Sequence, residues 1–197
     1  MNTVTQRYIE TVQISDIPWH RLTTAYSCAT GFPKEIATLG AMESIDAVDE
    51  AGKELALNIE HQSTLWHSTP FALIFLLRTF KKAVEEQRHN EVARYLAEAL
   101  VELFIVIVES IRDGLVLEHA DPLPNFVDML NEEYLWSEEY DEDEDMIRYE
   151  EDEVFPDDLY FSFYYYSLQV LLLCKPLLDK TKEREAVLLE LLTAVDC

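Results

Sequence analysis

The chain has 197 residues, 39 acidic and 15 basic, for a formal charge of −24. That balance repels phosphate backbones and anionic lipid surfaces, so nucleic acid and membrane partners are disfavoured and a basic protein is the natural complement. Acidity of this kind also serves solubility alone.

Apolar residues make up 49 %. A chain of this size buries roughly 70 % of the surface its unfolded form exposes, so it needs neither disulfides nor a structural metal to fold. Only four glycines occur, at 31, 40, 52 and 114. That leans toward helices and leaves no GxGxxG, Walker A or GxSxG loop. Cys28, Cys174 and Cys197 are odd in number, widely spaced and without a CxxC pair. They argue against a disulfide framework and a cysteine zinc site. The first residues lack a basic stretch followed by an apolar one, and no apolar run reaches the ~18 residues of a membrane span. The expectation is a soluble, cytoplasmic protein of one domain, residues 1–197.

Residues 1–17 carry β-branched side chains in loose alternation and predict a short strand or an extended arm. Between Pro18 and Pro33 the spacing predicts a Ser/Thr-rich loop held by aromatic anchors at Trp19, Tyr26 and Phe32. Pro33 suits the opening of a helix over 33–41. A second helix is predicted over 44–60, where Ile45, Val48, Leu55 and Ile59 recur at helical spacing behind Ser44 as N-cap. The clearest helix starts with Thr69 as N-cap and Pro70 in the first turn, then runs from Phe71 to Leu77 without a polar break. Lys81, Lys82 and Arg88 complement the dipole at its far end. Asn90 caps the next helix, which runs to about Arg112 and stops at Gly114. On it Glu91, Arg94, Glu98, Glu102 and Glu109 form one narrow polar stripe, so most of its circumference packs. The two helices predict a central antiparallel hairpin with Phe75, Leu76, Leu100, Leu103, Phe104 and Ile107 in the core.

Pro122 and Pro124 break the pattern, and a short amphipathic piece follows at 126–130. From 132 to 158, 15 acidic residues face the single basic Arg148, so this stretch carries −14 of the −24. It reads as an acidic insert: a negative loop, a frayed acidic helix, or both. Asp157 and Asp158 then open a helix through the aromatic run 160–166. Helix is favoured over strand there because Leu168 to Leu173 carry the run past strand length. Pro176 ends or kinks it, and Thr181 caps a last helix to about Val195, so the C-terminal part is again a helix pair.

Few residues invite chemistry. His61 and His67 are six positions apart and share no helix face, so backbone hydrogen bonds are expected of them rather than a metal. Glu60 and His61 could exchange a proton but have no nucleophile or cofactor motif beside them. Asp141, Asp143 and Asp145 imitate the start of a calcium loop, which then fails at Met146 in place of glycine and Asp152 in place of glutamate. The Glu stripe on 91–112 lacks the Glu-x-x-His pairs of di-iron bundles. No catalytic residue, metal site or cofactor is assigned.

The stretch EHQSTLWHSTPFALIFLL, residues 60–77, resembles a segment of bacterial HEAT-like helical repeat proteins. His61, Gln62, Ser63 and Thr64 match the turn, Trp66 the aromatic position, and Thr69, Pro70, Phe75, Leu76 and Leu77 the buried helix that follows. The opening IPWHRLTTAY is similar to that of small bacterial proteins associated with toxin–immunity loci. Together these cover under a fifth of the chain, and no clean repeat of ~40 residues runs through the rest. The resemblance implies stacked helical hairpins and no chemistry.

The expected fold class is therefore all-α, stacked antiparallel helical hairpins forming an irregular α-solenoid or bundle. The expected function is that of a non-enzymatic acidic binding protein, an immunity-type inhibitor that occludes a basic toxin, with a nuclease as the natural target. The electrostatic centre falls on Glu138, Glu139, Asp141, Glu142, Asp143, Glu144 and Asp145, with Trp136 and Tyr140 as ring anchors. A solvated loop whose rings pin it to the body stands beside that reading. So does a scaffold that forms homo-oligomers through apolar helix faces.

Overall fold

The computed structural model describes residues 1–114, 120–139, 141 and 157–195. Its centre is the hairpin of two helices, α4 (Ser68–Glu86) and α5 (Glu91–Gly114). The Asn90 side chain caps α5 by accepting the Val92 and Ala93 N–H groups at 3.0 and 3.2 Å. The start of α4 lies two residues earlier than its sequence suggests, with His67 rather than Thr69 in the N-cap position. Thr69 sits inside the first turn, where its hydroxyl accepts the Trp66 N–H at 2.9 Å and donates to the Ile59 carbonyl at 2.5 Å. Nearly every side chain from Ser68 to Leu76 is buried. Phe75, Leu76, Leu100, Phe104 and Ile107 are core as expected, but Leu103 is only partly buried.

Before this hairpin come α2 (Phe32–Ala41) and α3 (Ile45–Ile59), which pack on each other. Ser44 caps α3 by accepting the Ala47 N–H at 3.2 Å. After it come α6 (Asp157–Leu172), which is helical through all of 160–166, and α7 (Glu183–Val195). The packing pairs then sort into two layers. Helix α4 lies between α2 and α6, and α5 lies between α3 and α7. The protein is thus a stack of antiparallel helical hairpins, with an α2–α4–α6 layer and an α3–α5–α7 layer.

The last hairpin departs from the central one. Helix α7 packs mainly on α5 and only lightly on α6. A 3-10 turn at Lys175–Leu177, containing Pro176, and the residues after it carry the chain away from α6. Buried Glu185 then fixes the approach of α7, accepting the Asp179 N–H at 2.6 Å and pairing with Lys182 at 2.8 Å. Thr181 does not cap α7. Its hydroxyl is spent on Asp179 at 2.7 Å, and the helix begins two residues later.

The N-terminus forms neither strand nor arm. It is a helix, α1 (Thr3–Thr11), capped by Asn2, whose side chain accepts the Thr5 N–H at 2.8 Å. Thr5, Ile9 and Val12 share one buried face, and helical spacing of those three outweighs the β-branched alternation. The Arg78 guanidinium ties α1 to α4 by donating to the Ile9 and Val12 carbonyls, both at 2.8 Å. The 3-10 turn Phe126–Leu130 packs beside α1, its Phe126 N–H donating to the Thr5 hydroxyl at 3.1 Å. Phe126 meets Tyr8, Phe71 and Tyr166 with ring centroids 5.0–5.5 Å apart.

In the loop before α2, Trp19 and Phe32 are anchors, 5.7 Å apart and both buried. Tyr26 is not; it is 61 % exposed. The strands among the described residues are β1 (Glu60–His61) and β2 (Thr64–Leu65), a hairpin that joins α3 to α4. No helix among the described residues is long and apolar enough to cross a membrane.

Candidate partner-binding surfaces

Arg21 anchors the start of the acidic insert. Arg21, at the end of the 3-10 turn Trp19–Arg21, donates from Nε to the Trp136 carbonyl at 2.5 Å. Its two terminal nitrogens donate to the Glu132 carboxylate at 2.6 and 3.0 Å, and one lies 3.5 Å from Glu138. The Trp136 N–H returns to the Arg21 carbonyl at 3.1 Å. His20 Nε2 lies 3.1 Å from the other Glu138 oxygen. A planar guanidinium suits this fork because it offers several donors in fixed directions.

Arg21 is itself almost covered, with its side chain 11 % exposed, whereas Glu132 and Glu138 are 81 % and 74 % exposed. The carboxylates therefore face solvent around a shielded cation. Glu139 and Asp141 are exposed as well. Trp136 is different: at 8 % exposure its ring is packed into the protein and presents little surface to an incoming molecule. Of the alternatives for the rings of this segment, pinning to the body describes Trp136. Tyr140, Glu142, Asp143, Glu144 and Asp145 lie outside the described residues, as do Met146 and Asp152 of the calcium-loop comparison.

The histidines singled out by the sequence have structural partners. His67 is fully buried just before α4 and stacked on Phe163 at 5.0 Å. Its Nε2 lies 2.8 Å from the Met129 carbonyl. A carbonyl can only accept, so Nε2 carries the proton and Nδ1 is left as an acceptor without a partner among the described residues. Burial disfavours the imidazolium and pushes the pKa down to about 4. His61 sits against Tyr26, ring centroids 5.3 Å apart. Glu60 does not pair with His61. Its carboxylate accepts the Ser63 N–H at 2.8 Å and the Ser110 hydroxyl at 3.3 Å. It thereby supports a two-residue turn in which Gln62 and Ser63 both have positive φ, 53° and 63°. Burial pushes the Cys174 thiol up to about 12, away from a reactive thiolate. No cluster of metal-ligating side chains occurs among the described residues.

A second surface was not read from the sequence. Helices α4 and α6 are overlaid by α1 and the Phe126–Leu130 turn, but among the described residues the outer side of α3 and α5 is open. A groove of about 540 Å³ runs between them, with Gly52, Ala56, Leu57, Ala99, Leu103 and Val106 along it. Leu57 is 47 % and Val106 42 % exposed. It continues into a second groove of about 540 Å³ between α5 and α7, sharing Ala99 and Glu102. The polar stripe expected on α5 is present, but Ala99 and Val106 lie exposed within it. Apolar residues on the solvent side of an otherwise acidic stripe were the available signal.

Comparison with protein-family models, with curated proteins and with solved structures found no match to this chain.

Proposed function

We propose that this chain is a non-enzymatic, cytoplasmic binding protein that inhibits a basic protein partner by occlusion, as an immunity protein does its toxin. The observation that carries the reading is the rooted acidic insert. A stretch with 15 acids and one base begins at a point fixed by Arg21, and Glu132 and Glu138 face solvent there. Like charges crowded this densely raise the local free energy of the chain, and a cationic cleft would relieve that repulsion. Rows of carboxylates imitate phosphate spacing, which makes a nuclease the natural target. Kinship with bacterial HEAT-like repeat proteins belongs to the same proposal and is supported by the stacked hairpins.

The test is capture of the partner from the native cell, followed by binding kinetics. Replacing Glu138, Glu139, Asp141 and Glu142 by their amides should lower the on-rate about tenfold or more at low salt, with a smaller effect on the off-rate. A neutral or acidic partner, or unchanged kinetics, would reject occlusion by the insert.

A scaffold that self-associates is the second reading, and the exposed Leu57 and Val106 favour it. Light scattering separates the two: the inhibitor is expected as a monomer without its partner, the scaffold as an oligomer whose state Val106→Glu disrupts.

A further inference from the structure

We infer that the groove between α3 and α5 is a docking site for a cationic amphipathic helix of a partner protein. Three observations define the occupant. The floor is apolar, and two of the six large hydrophobic side chains that stand exposed among the described residues, Leu57 and Val106, line it. Covering exposed, water-facing carbon of this kind with a second apolar face lowers the free energy.

The second observation is the absence of a side chain at Gly52, in the middle of α3. Glycine weakens a helix interior relative to alanine. Packing does not require it, because a Cβ placed there would meet no atom of the described residues within 4 Å. The same position lines the groove, so its empty space is available to a backbone approaching from outside. Gly114 makes the contrast: a Cβ there would lie 2.3 Å from Cε1 of Tyr164, so its absence is explained by the chain's own packing.

The third observation is charge. The two contiguous grooves are lined by six carboxylates and three cations. Each cation already has a carboxylate partner: Lys53 with Asp49, Lys182 with Glu185, and Arg184 with Glu102. Glu60 and Glu98 have no ion-pair partner among the described residues. An incoming helix with lysine or arginine flanking its apolar stripe meets that surplus. A second copy of this chain would bring another −24 to the same face and is disfavoured. An extended peptide would need an open strand edge for its backbone, and β1 and β2 are two residues each. A helix satisfies its own backbone and needs only side-chain complementarity. Helix α3, with 15 residues, is about 22 Å long, enough for roughly four turns of a partner.

The inference rests on the proposed function only in taking the partner to be cationic. The probe is a synthetic Leu/Lys helix of ~14 residues with its leucines on one face, followed by fluorescence anisotropy at about 150 mM salt. Its controls are a scrambled peptide of identical composition and a Leu/Glu version. The expected result is binding of the amphipathic Lys peptide at least about tenfold tighter than either control. Gly52→Leu fills the groove without changing charge and should weaken it at least about tenfold, with helicity and melting temperature retained. The Glu138/Glu139/Asp141 amide variant should bind it within about twofold of the parent, because none of these three residues lines the groove. No binding, equal binding of the scrambled peptide, or an unchanged affinity in Gly52→Leu overturns the inference. Concentration-dependent dimerisation abolished by Gly52→Leu also overturns it, since a second copy is then the occupant. A natural partner that ignores the amide variant but is lost with Gly52→Leu would leave the groove standing and remove occlusion by the insert.

Discussion

Arg21 and Glu132, 111 positions apart in the chain, meet in a two-pronged hydrogen bond of 2.6 and 3.0 Å. Together with the Nε–H bond to the Trp136 carbonyl, this pair holds residues 132–136, the start of the acidic insert, against the 3-10 turn Trp19–Arg21. Arg21→Ala should free residues 132–139, raising amide exchange at Trp136 and costing about 1–3 kcal/mol, as expected for charge-assisted bonds at a mostly covered donor. Arg21→Lys keeps the charge but loses the fork, and should recover less than half of that. Full protection in Arg21→Ala would show that the Trp136 ring alone holds the segment.

His67 links stability to pH. The folded chain keeps its imidazole neutral down to about pH 4, whereas the group ordinarily titrates near 6.5. Between those values the unfolded chain binds more protons, so the contribution is intact above pH 6.5 and is lost as pH falls toward 4. The span corresponds to roughly 3 kcal/mol. His67→Gln can still donate to the Met129 carbonyl but does not titrate. Urea unfolding at about pH 7 and about pH 4.5 should show the parent losing roughly 2–3 kcal/mol relative to this variant. Parallel losses in both proteins would place the titrating group elsewhere.

Two neighbours on α5 should respond very differently to truncation. Phe104 is fully buried and packs edge-on against Phe80 at 5.6 Å, whereas Leu103 lines the open groove. Phe104→Ala should cost about 3–5 kcal/mol and Leu103→Ala about 1 kcal/mol. Equal losses in denaturant titrations would mean that the groove is closed in solution.

The two glycines make an opposed pair. Gly52→Ala adds a methyl group into open space within a helix and should stabilise the protein by about 0.5–1 kcal/mol. Gly114→Ala must displace the Tyr164 ring, whose hydroxyl accepts the Leu65 N–H at 3.2 Å, and should cost about 1–3 kcal/mol. Thermal melts of the two variants shifting in the same direction would contradict this account of their surroundings.

Legibility in the sequence followed the range of the forces involved. Ser44, Asn90 and the apolar run of α4 act within a turn or two, and the helices they define are where periodicity places them. At α1 the local signal misled, because β-branched residues hid a buried face whose partners, Arg78 and Phe126, lie far along the chain. Thr181 resembled a cap, but Asp179 two residues away captured its hydroxyl. In the candidate site the charge of 132–145 was plain from composition. The burial of Trp136 was not, since the residues it meets, such as Arg21, lie more than a hundred positions away in the chain. The α3–α5 groove is a property of two helices whose spacing only the assembled layers fix.

The central claim is that the acidic insert meets a basic protein. Its most direct test is the association rate of the captured partner, measured for the parent and for the Glu138/Glu139/Asp141/Glu142 amide variant as salt rises from about 20 to about 500 mM. The account predicts a parent on-rate that falls at least about tenfold across that range and a variant on-rate that starts lower and falls less, the two converging at high salt. On-rates that coincide at every salt concentration would contradict it.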